Sequence, residues 1–209
     1  MTKGTLFFAI AVSAFAFTSC VKDPLNNLTQ EESRIYITNY DSTANFSAFQ
    51  TFSVADSVAV VENGKFLGRD LTSWDASFIS ALKNKMQSLG YTLVSRNDNP
   101  DLGVTVSSIT NTSTGIISYD DYTGGYGGYW DPYYWDYPGS SYYFPTYYGV
   151  YNISEGAVSV DMFDLKDAEA SNQLRNVWTA LIRGSGIFNS ASIDNHVQTL
   201  FAQSAYIKK

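Results

Sequence analysis

Cysteine occurs once, at Cys20, and histidine once, at His196. One of each excludes a disulfide framework, a zinc site of clustered cysteines and histidines, and any pair of catalytic histidines. Cations are scarce as well: 13 lysines and arginines stand against 20 aspartates and glutamates, and none lies between Arg96 and Lys166. A formal net charge of -7 disfavours both the phosphate backbone of nucleic acids and anionic lipid headgroups. After Cys20 no apolar run is long enough to cross a bilayer as a helix. What is present is ample hydrophobic material, 44% of the chain, which argues against disorder and for one domain with a real core.

The lone cysteine stands in an informative place. Lys3 supplies a positive start, Leu6 to Phe17 form a short apolar run, and small Thr18 and Ser19 precede Cys20. The stretch Ala14 to Cys20 resembles a lipobox, which implies removal of residues 1–19 as a lipoprotein signal peptide and fatty acylation of the palmitate type at Cys20. Residues 20–33 are polar without an apolar period and read as a tether. Lys22-Asp23 resembles part of the signal that sends Bacteroidota-type lipoproteins to the cell surface, with Pro24 where a second acid is expected. An outer-membrane lipid anchor is the expectation, with the periplasmic or surface face undecided.

Residues 34–209 read as a single α+β domain. Arg34–Thr38 and Phe49–Val54 have strand composition, and Val58–Val61, Asn63-Gly64 and Phe66-Leu67 predict a small hairpin between the second strand and the first helix. Thr72 with Asp75 forms a capping box ahead of Trp74, Phe78, Leu82, Met86 and Leu89 at helical spacing, and Gly90 is the expected stop. Tyr91–Ser95 and Asp101–Ile109 are predicted strands on either side of a turn at Asn97–Pro100. Gly156–Phe163 places Val158, Val160 and Met162 on one face and Ser159 and Asp161 on the other. A long strand over Gln173–Gly184 and a helix over about Ile193–Tyr206 complete the domain. Trp74 and Trp178 are expected in the core, and His196 on a solvated helix edge.

Several short motifs share one resemblance. Tyr40-Asp41, then Asn45-Phe46-Ser47, Phe49 and Thr51-Phe52 open the domain, and Gly90-Tyr91, Pro100-Asp101-Leu102 and Trp178-x-Ala180-x-Ile182-x-Gly184 follow. Together they resemble the domain-of-unknown-function 4136 family of bacterial lipoproteins, with Asn45 for the usual acid and Gln50 for the usual lysine. That resemblance implies neither an activity nor catalytic residues. Read on their own, Asp41 and Asn45 suit bonds to their turn backbone, and Phe46, Phe49 and Phe52 suit closure of one core end. The predicted architecture is an antiparallel or mixed sheet of about six strands with two helices packed on one face.

Residues 119–151 break the pattern. They hold twelve of the 16 tyrosines, with Trp130 and Trp135, six glycines and three prolines, which suits an inserted loop and neither a helix nor a continuous strand. Without lysine or arginine it lacks the basic, aromatic-interleaved surface that single-stranded nucleic acid requires. Tyrosine pairs a large apolar face with a hydroxyl, and neighbouring carboxylates accept bonds from sugar hydroxyls. Trp130, Trp135, Tyr133, Tyr134, Asp131 and Asp136 are therefore the candidate contacts for a glycan or an envelope protein.

Catalytic signatures are sparse. His196 has no nucleophile elbow to serve, Asp120-Asp121 lacks the ligand spacing of a calcium loop, and Gly184-Ser185-Gly186 lacks the lysine of a phosphate loop. Asp101 suits a turn better than a catalytic acid. Asp41-Ser42-Thr43 and Asp56-Ser57-Val58 resemble the O-glycosylation sequon of Bacteroidota. No metal or cofactor is expected, and the functional expectation is a non-enzymatic, envelope-anchored binding or structural lipoprotein. The alternative is a glycan-directed hydrolase using a carboxylate pair, for which no local pattern selects the pair.

Overall fold

A computed structural model describes residues 28–62, 65–110, 116–118, 132–135, 141–143, 150–152, 156–171 and 173–209. Cys20, the segment before it and most of the aromatic insertion lie outside them. The clearest local signal becomes the longest helix, α1 (Ser73–Ser88): Thr72 Oγ1 accepts the Asp75 N–H while the Asp75 carboxylate accepts the Thr72 N–H. Such a reciprocal cap is worth about 1 kcal/mol. Gly90, at φ +99°, ends the helical run as expected.

The strands are β1 (Ile35–Tyr40), β2 (Thr51–Val54), β3 (Val58–Glu62), β4 (Lys65–Asp70), β5 (Thr92–Leu93), β6 (Leu102–Thr110), β7 (Ile116–Ser118), β8 (Ser141–Tyr143), β9 (Val150–Asn152), β10 (Ala157–Asp164) and β11 (Gln173–Arg183). Nine of them form one mixed sheet whose main path runs β1-β11-β10-β6-β2-β5, and β7 and β9 pair separately. Both β2 and β3 run parallel to β6, β2 along Leu102–Val104 and β3 along Ser107–Thr110. The predicted hairpin therefore belongs to the sheet: β3 continues the edge that β2 began, and β4 pairs antiparallel with β3 outside it. A short helix, α2 (Ala168–Ser171), turns the chain into β11, and α3 (Ile193–Ala202) closes the domain, ending short of the predicted Tyr206.

Period-two alternation puts Val104 and Val106, then Val158, Val160 and Met162, then Trp178, Ala180 and Ile182 on one face. Both long helices pack there, α1 with Trp74, Phe78, Ile79, Leu82 and Met86, and α3 with Ile193, Val197, Leu200 and Phe201. Each fully buried side chain of this size contributes about 1.5–3 kcal/mol, so this layer dominates stability. Trp74 and Trp178 are both core, and the Trp178 indole N–H donates to Ser204 Oγ at 2.9 Å.

The opposite face is buried as well. Thr105, Asp161 and Thr179 stand opposite one another on β6, β10 and β11, and all three are inaccessible. The Asp161 carboxylate accepts the Ser159 and Thr179 hydroxyls and the Asn176 amide, and burial raises its pKa above the usual carboxylate value. Beside this polar row lies a second apolar cluster of Phe163, Leu165, Ala168, Leu174 and Trp135.

The domain also reaches back beyond its predicted start. Arg34 donates to the carbonyls of Ser185 and Gly186, and a Cβ on Gly184 would lie 2.6 Å from the Ser33 carbonyl oxygen. The last residues of the expected tether are thus packed on the loop after β11.

Candidate functional site

A cleft opens where the sheet edge stops short. Strand β5 ends at Leu93, and the chain turns away through a 3-10 turn at Arg96–Asp98, capped by Ser95, whose hydroxyl accepts the Asn97 N–H while Asp98 accepts the Ser95 N–H. The Val94 N–H reaches the Phe52 carbonyl, and beyond that point the outer edge of β2 lacks a strand partner among the described residues. The resulting cleft has a volume of about 750 Å³; Ser53, Val54 and Asp56 form one wall, Leu93 to Asp98 the other, and Lys83 of α1 one end.

Tyr134 stands at its mouth. It belongs to the short 3-10 turn Pro132–Trp135, within the predicted aromatic insertion. Its hydroxyl oxygen accepts the Asp56 N–H at 3.1 Å, just past the end of β2. The guanidinium carbons of Arg69 and Arg96 each lie 4.7 Å from the ring centre. Arg69 is held in place by the Ser57 hydroxyl and carbonyl. Burial pushes the Tyr134 hydroxyl pKa up, so it stays a neutral donor and acceptor at physiological pH.

The neighbouring Trp135 has the opposite fate. Expected as a ligand contact on a projecting loop, it is 6% exposed and packs with Phe163, Leu165 and Leu174. It lies directly over Gly103 of β6, where a Cβ would come within 2.6 Å of its Cε2. Glycine at 103 is what lets the indole reach the sheet. Trp135 thus anchors the insertion while Tyr134, edge-on to it at 4.9 Å, faces the cleft. Of the other candidates, Tyr133 has a described backbone only, and Trp130, Asp131 and Asp136 lie outside the described residues, as do Asp120 and Asp121.

His196 needs correction. It is 0% exposed rather than solvated. Its Nε2 lies 3.0 Å from the Ile187 carbonyl, which only accepts, so Nε2 carries the proton and Nδ1 accepts the Tyr36 hydroxyl at 2.8 Å. Burial lowers the imidazole pKa, keeping it neutral. With a tyrosine and a backbone carbonyl as partners, its role is structural.

Asp101 and Asp41 are similarly committed. Asp101 accepts the Gln50 and Thr51 N–H groups and receives no catalytic partner. Burial alone would raise Asp41, but the Thr43 hydroxyl and N–H and the Arg175 guanidinium together hold it below the usual carboxylate range. Among the described residues no three His, Cys, Asp or Glu side chains converge on a common point. Asp56 and Asp98 line the cleft; sequence reasoning met Asp56 only as part of a glycosylation sequon and did not single out Asp98, Lys83, Arg69 or Arg96 as site residues. The Ser95-x-x-Asp98 spacing was the available signal for the turn that places Arg96 and Asp98.

The fold and cleft define an α+β domain whose mixed sheet carries two helices on one face and a loop-borne tryptophan on the other. The chain belongs to the DUF4136 family, a domain of unknown function, whose family model matches residues 37–204. It is similar to a DUF4136 family protein from Bacteroides thetaiotaomicron, at 29% identity and a TM-score of 0.67 over 84% of this chain and 98% of that one. More distant likenesses are to a PDZ domain protein from Parabacteroides distasonis, at 14% identity and a TM-score of 0.44 over 85% of this chain and 37% of that one, and to a PelC dodecamer from Paraburkholderia phytofirmans, at 10% identity and a TM-score of 0.40 over 84% of this chain and 98% of that one. No curated protein matches.

Proposed function

We propose that the protein is a non-enzymatic binding protein held at the outer membrane by lipid on Cys20, with the cleft below Tyr134 as its contact surface. The observation that carries this reading is the division of labour between neighbours: buried Trp135 fixes the segment to the sheet, and Tyr134 is presented at the mouth of a 750 Å³ cleft. A half-buried tyrosine stacked by arginines is pre-ordered, so a ligand meets a ring that loses little entropy on contact. Serine, asparagine and carboxylate groups around it suit a hydroxyl-rich ligand such as an envelope glycan.

The carboxylates Asp56 and Asp98 line the same cleft and favour one second reading, a glycan-directed hydrolase. Asp98 is spent on the Ser95 N–H, and Asp56 accepts the Ser57 hydroxyl, which supports binding over catalysis. Removing residues 122–148 would also remove Trp135 and β8, so point substitution is the cleaner test. Tyr134→Ala should abolish retention on envelope-glycan arrays while the thermal transition persists. Release of reducing sugar, lost in both Asp56→Asn and Asp98→Asn, would replace the binding reading with the hydrolase. Failure of the wild-type chain to bind any envelope glycan would refute it. For the anchor, Cys20→Ser should move the protein out of the detergent phase, since acyl chains at about 0.8 kcal/mol per buried methylene hold it there; unchanged partitioning would refute lipidation.

A further inference from the structure

We infer that the end of the sheet where the tether enters is a docking rim that seats the domain on a zwitterionic, amine-bearing lipid surface; this rests on the acylation of Cys20 proposed above. One rung crosses six strands at that end: Ile35 stands opposite Arg183, Arg183 opposite Ala157, Ala157 opposite Ile109, Ile109 opposite Val61, and Val61 opposite Phe66. Ile35 and Phe66 close the rung at its two edges, and Leu67 follows Phe66. Phe188 packs over Gly156, the residue before Ala157, and edge-on to Trp74 at the start of α1. Leu28 precedes the turn at residues 29–33, and the next residue, Arg34, is tied to the Ser185 and Gly186 carbonyls. All five apolar side chains are 41–59% exposed, and they are five of the seven large apolar residues so exposed among the described residues.

The tether selects a bilayer as the occupant. Residues 29–33 are folded: the Ser33 N–H donates to the Thr29 carbonyl, and the Thr29 and Glu32 side chains accept each other's N–H. Only residues 20–28 then separate this end of the domain from the acyl chains, at most about 30 Å at about 3.3 Å per residue. Gln87 lies about 20 Å further along α1 from Trp74, at the other end of the domain. Apolar side chains scattered singly over a surface are ordinary, whereas leucine, isoleucine and phenylalanine gathered beside a lipid anchor gain by entering the boundary between headgroups and acyl chains. Charge selects the lipid. The exposed carboxylates Glu31 and Glu62 stand at this same end, so an anionic surface repels it, while the ammonium of phosphatidylethanolamine supplies a partner.

Depth measurements on the full acylated chain in vesicles of phosphatidylethanolamine and phosphatidylcholine test this. Position 67 is the informative one, because it lies at the sheet edge away from β1, five strand spacings or about 24 Å from Ile35, where the tether alone does not bring it to the membrane. A fluorophore on Leu67→Cys should shift to the blue and be quenched by nitroxide-labelled lipid, and one on Gln87→Cys should not. Leu28→Asp with Ile35→Asp should cut the quenching at 67 severalfold while melting and co-flotation with vesicles persist. Replacing phosphatidylethanolamine with phosphatidylglycerol should also lower it. Equal signals at 67 and 87 in acylated, co-floating protein, indifference to the two aspartates, or stronger quenching on phosphatidylglycerol would overturn the inference and leave the anchor standing. Shielding of position 67 from aqueous iodide without quenching from lipid would assign the rim to a second copy and overturn it as well. A Cys20 free of acyl chains by mass would overturn anchor and docking together.

Discussion

Replacing Trp135 with alanine should destabilise the whole domain, because the indole fills the far face of the sheet between Gly103, Phe163, Leu165 and Leu174. A buried tryptophan cut to alanine costs about 3–5 kcal/mol, and at about 2–4 °C per kcal/mol for a domain of this size the melting point should fall by about 6–20 °C. The indole N–H has no hydrogen-bond partner among the described residues, so Trp135→Phe should recover much of the loss. Gly103→Ala is the complementary perturbation. Its Cβ would sit 2.6 Å from Trp135 Cε2 and 2.8 Å from Leu165 Cδ1, an overpacking that costs about 1–3 kcal/mol. In the Trp135→Ala background the indole half of that clash is gone, and the flexible Leu165 end can shift. The double variant should therefore be little worse than Trp135→Ala alone, with a coupling of about 1–3 kcal/mol in denaturant unfolding. Additive losses, or a Trp135→Ala melting point within about 2 °C of wild type, would refute the packing of the aromatic insertion against β6.

His196→Ala should cost at least about 2 kcal/mol, since it leaves the Tyr36 hydroxyl and the Ile187 carbonyl unpaired next to a cavity. With its folded pKa depressed by burial, His196 contributes stability that is fully present above its unfolded value of about 6.5 and is lost as pH falls through the folded value. Chemical unfolding across that window should show this slope in the wild type and lose it in His196→Gln. Arg175→Met should remove one of the groups holding Asp41 low, at a cost of about 1 kcal/mol given the partly exposed arginine. Asp41 stabilises above the usual carboxylate range and loses this as pH falls through its folded pKa. The Arg175→Met acid transition should therefore begin at a higher pH; an unchanged acid limb would show that Thr43 alone sets the Asp41 pKa.

Helix α1 was legible from residues 72–90 because cap, apolar period and stop are all local properties of the chain. The alternation on β10 was legible for the same reason, and so was the family, whose scattered motifs mark turns and strand ends. Burial was not, because whether a face meets solvent depends on segments far away in sequence. Ser159 and Asp161 were correctly assigned to the polar face of β10, yet that face is covered. His196 sits at the edge of an apolar helical stripe, and only Tyr36, 160 residues earlier, and the loop at Ile187 enclose it. Composition marked residues 119–151 as irregular and aromatic, which is true of their sequence. It did not separate Trp135 from Tyr134, adjacent rings of which one seals the sheet over Gly103 and the other faces a cleft. That choice belongs to tertiary structure: the glycine that admits the indole and the short β5 that leaves the cleft open are neighbours of these rings only after the chain has folded.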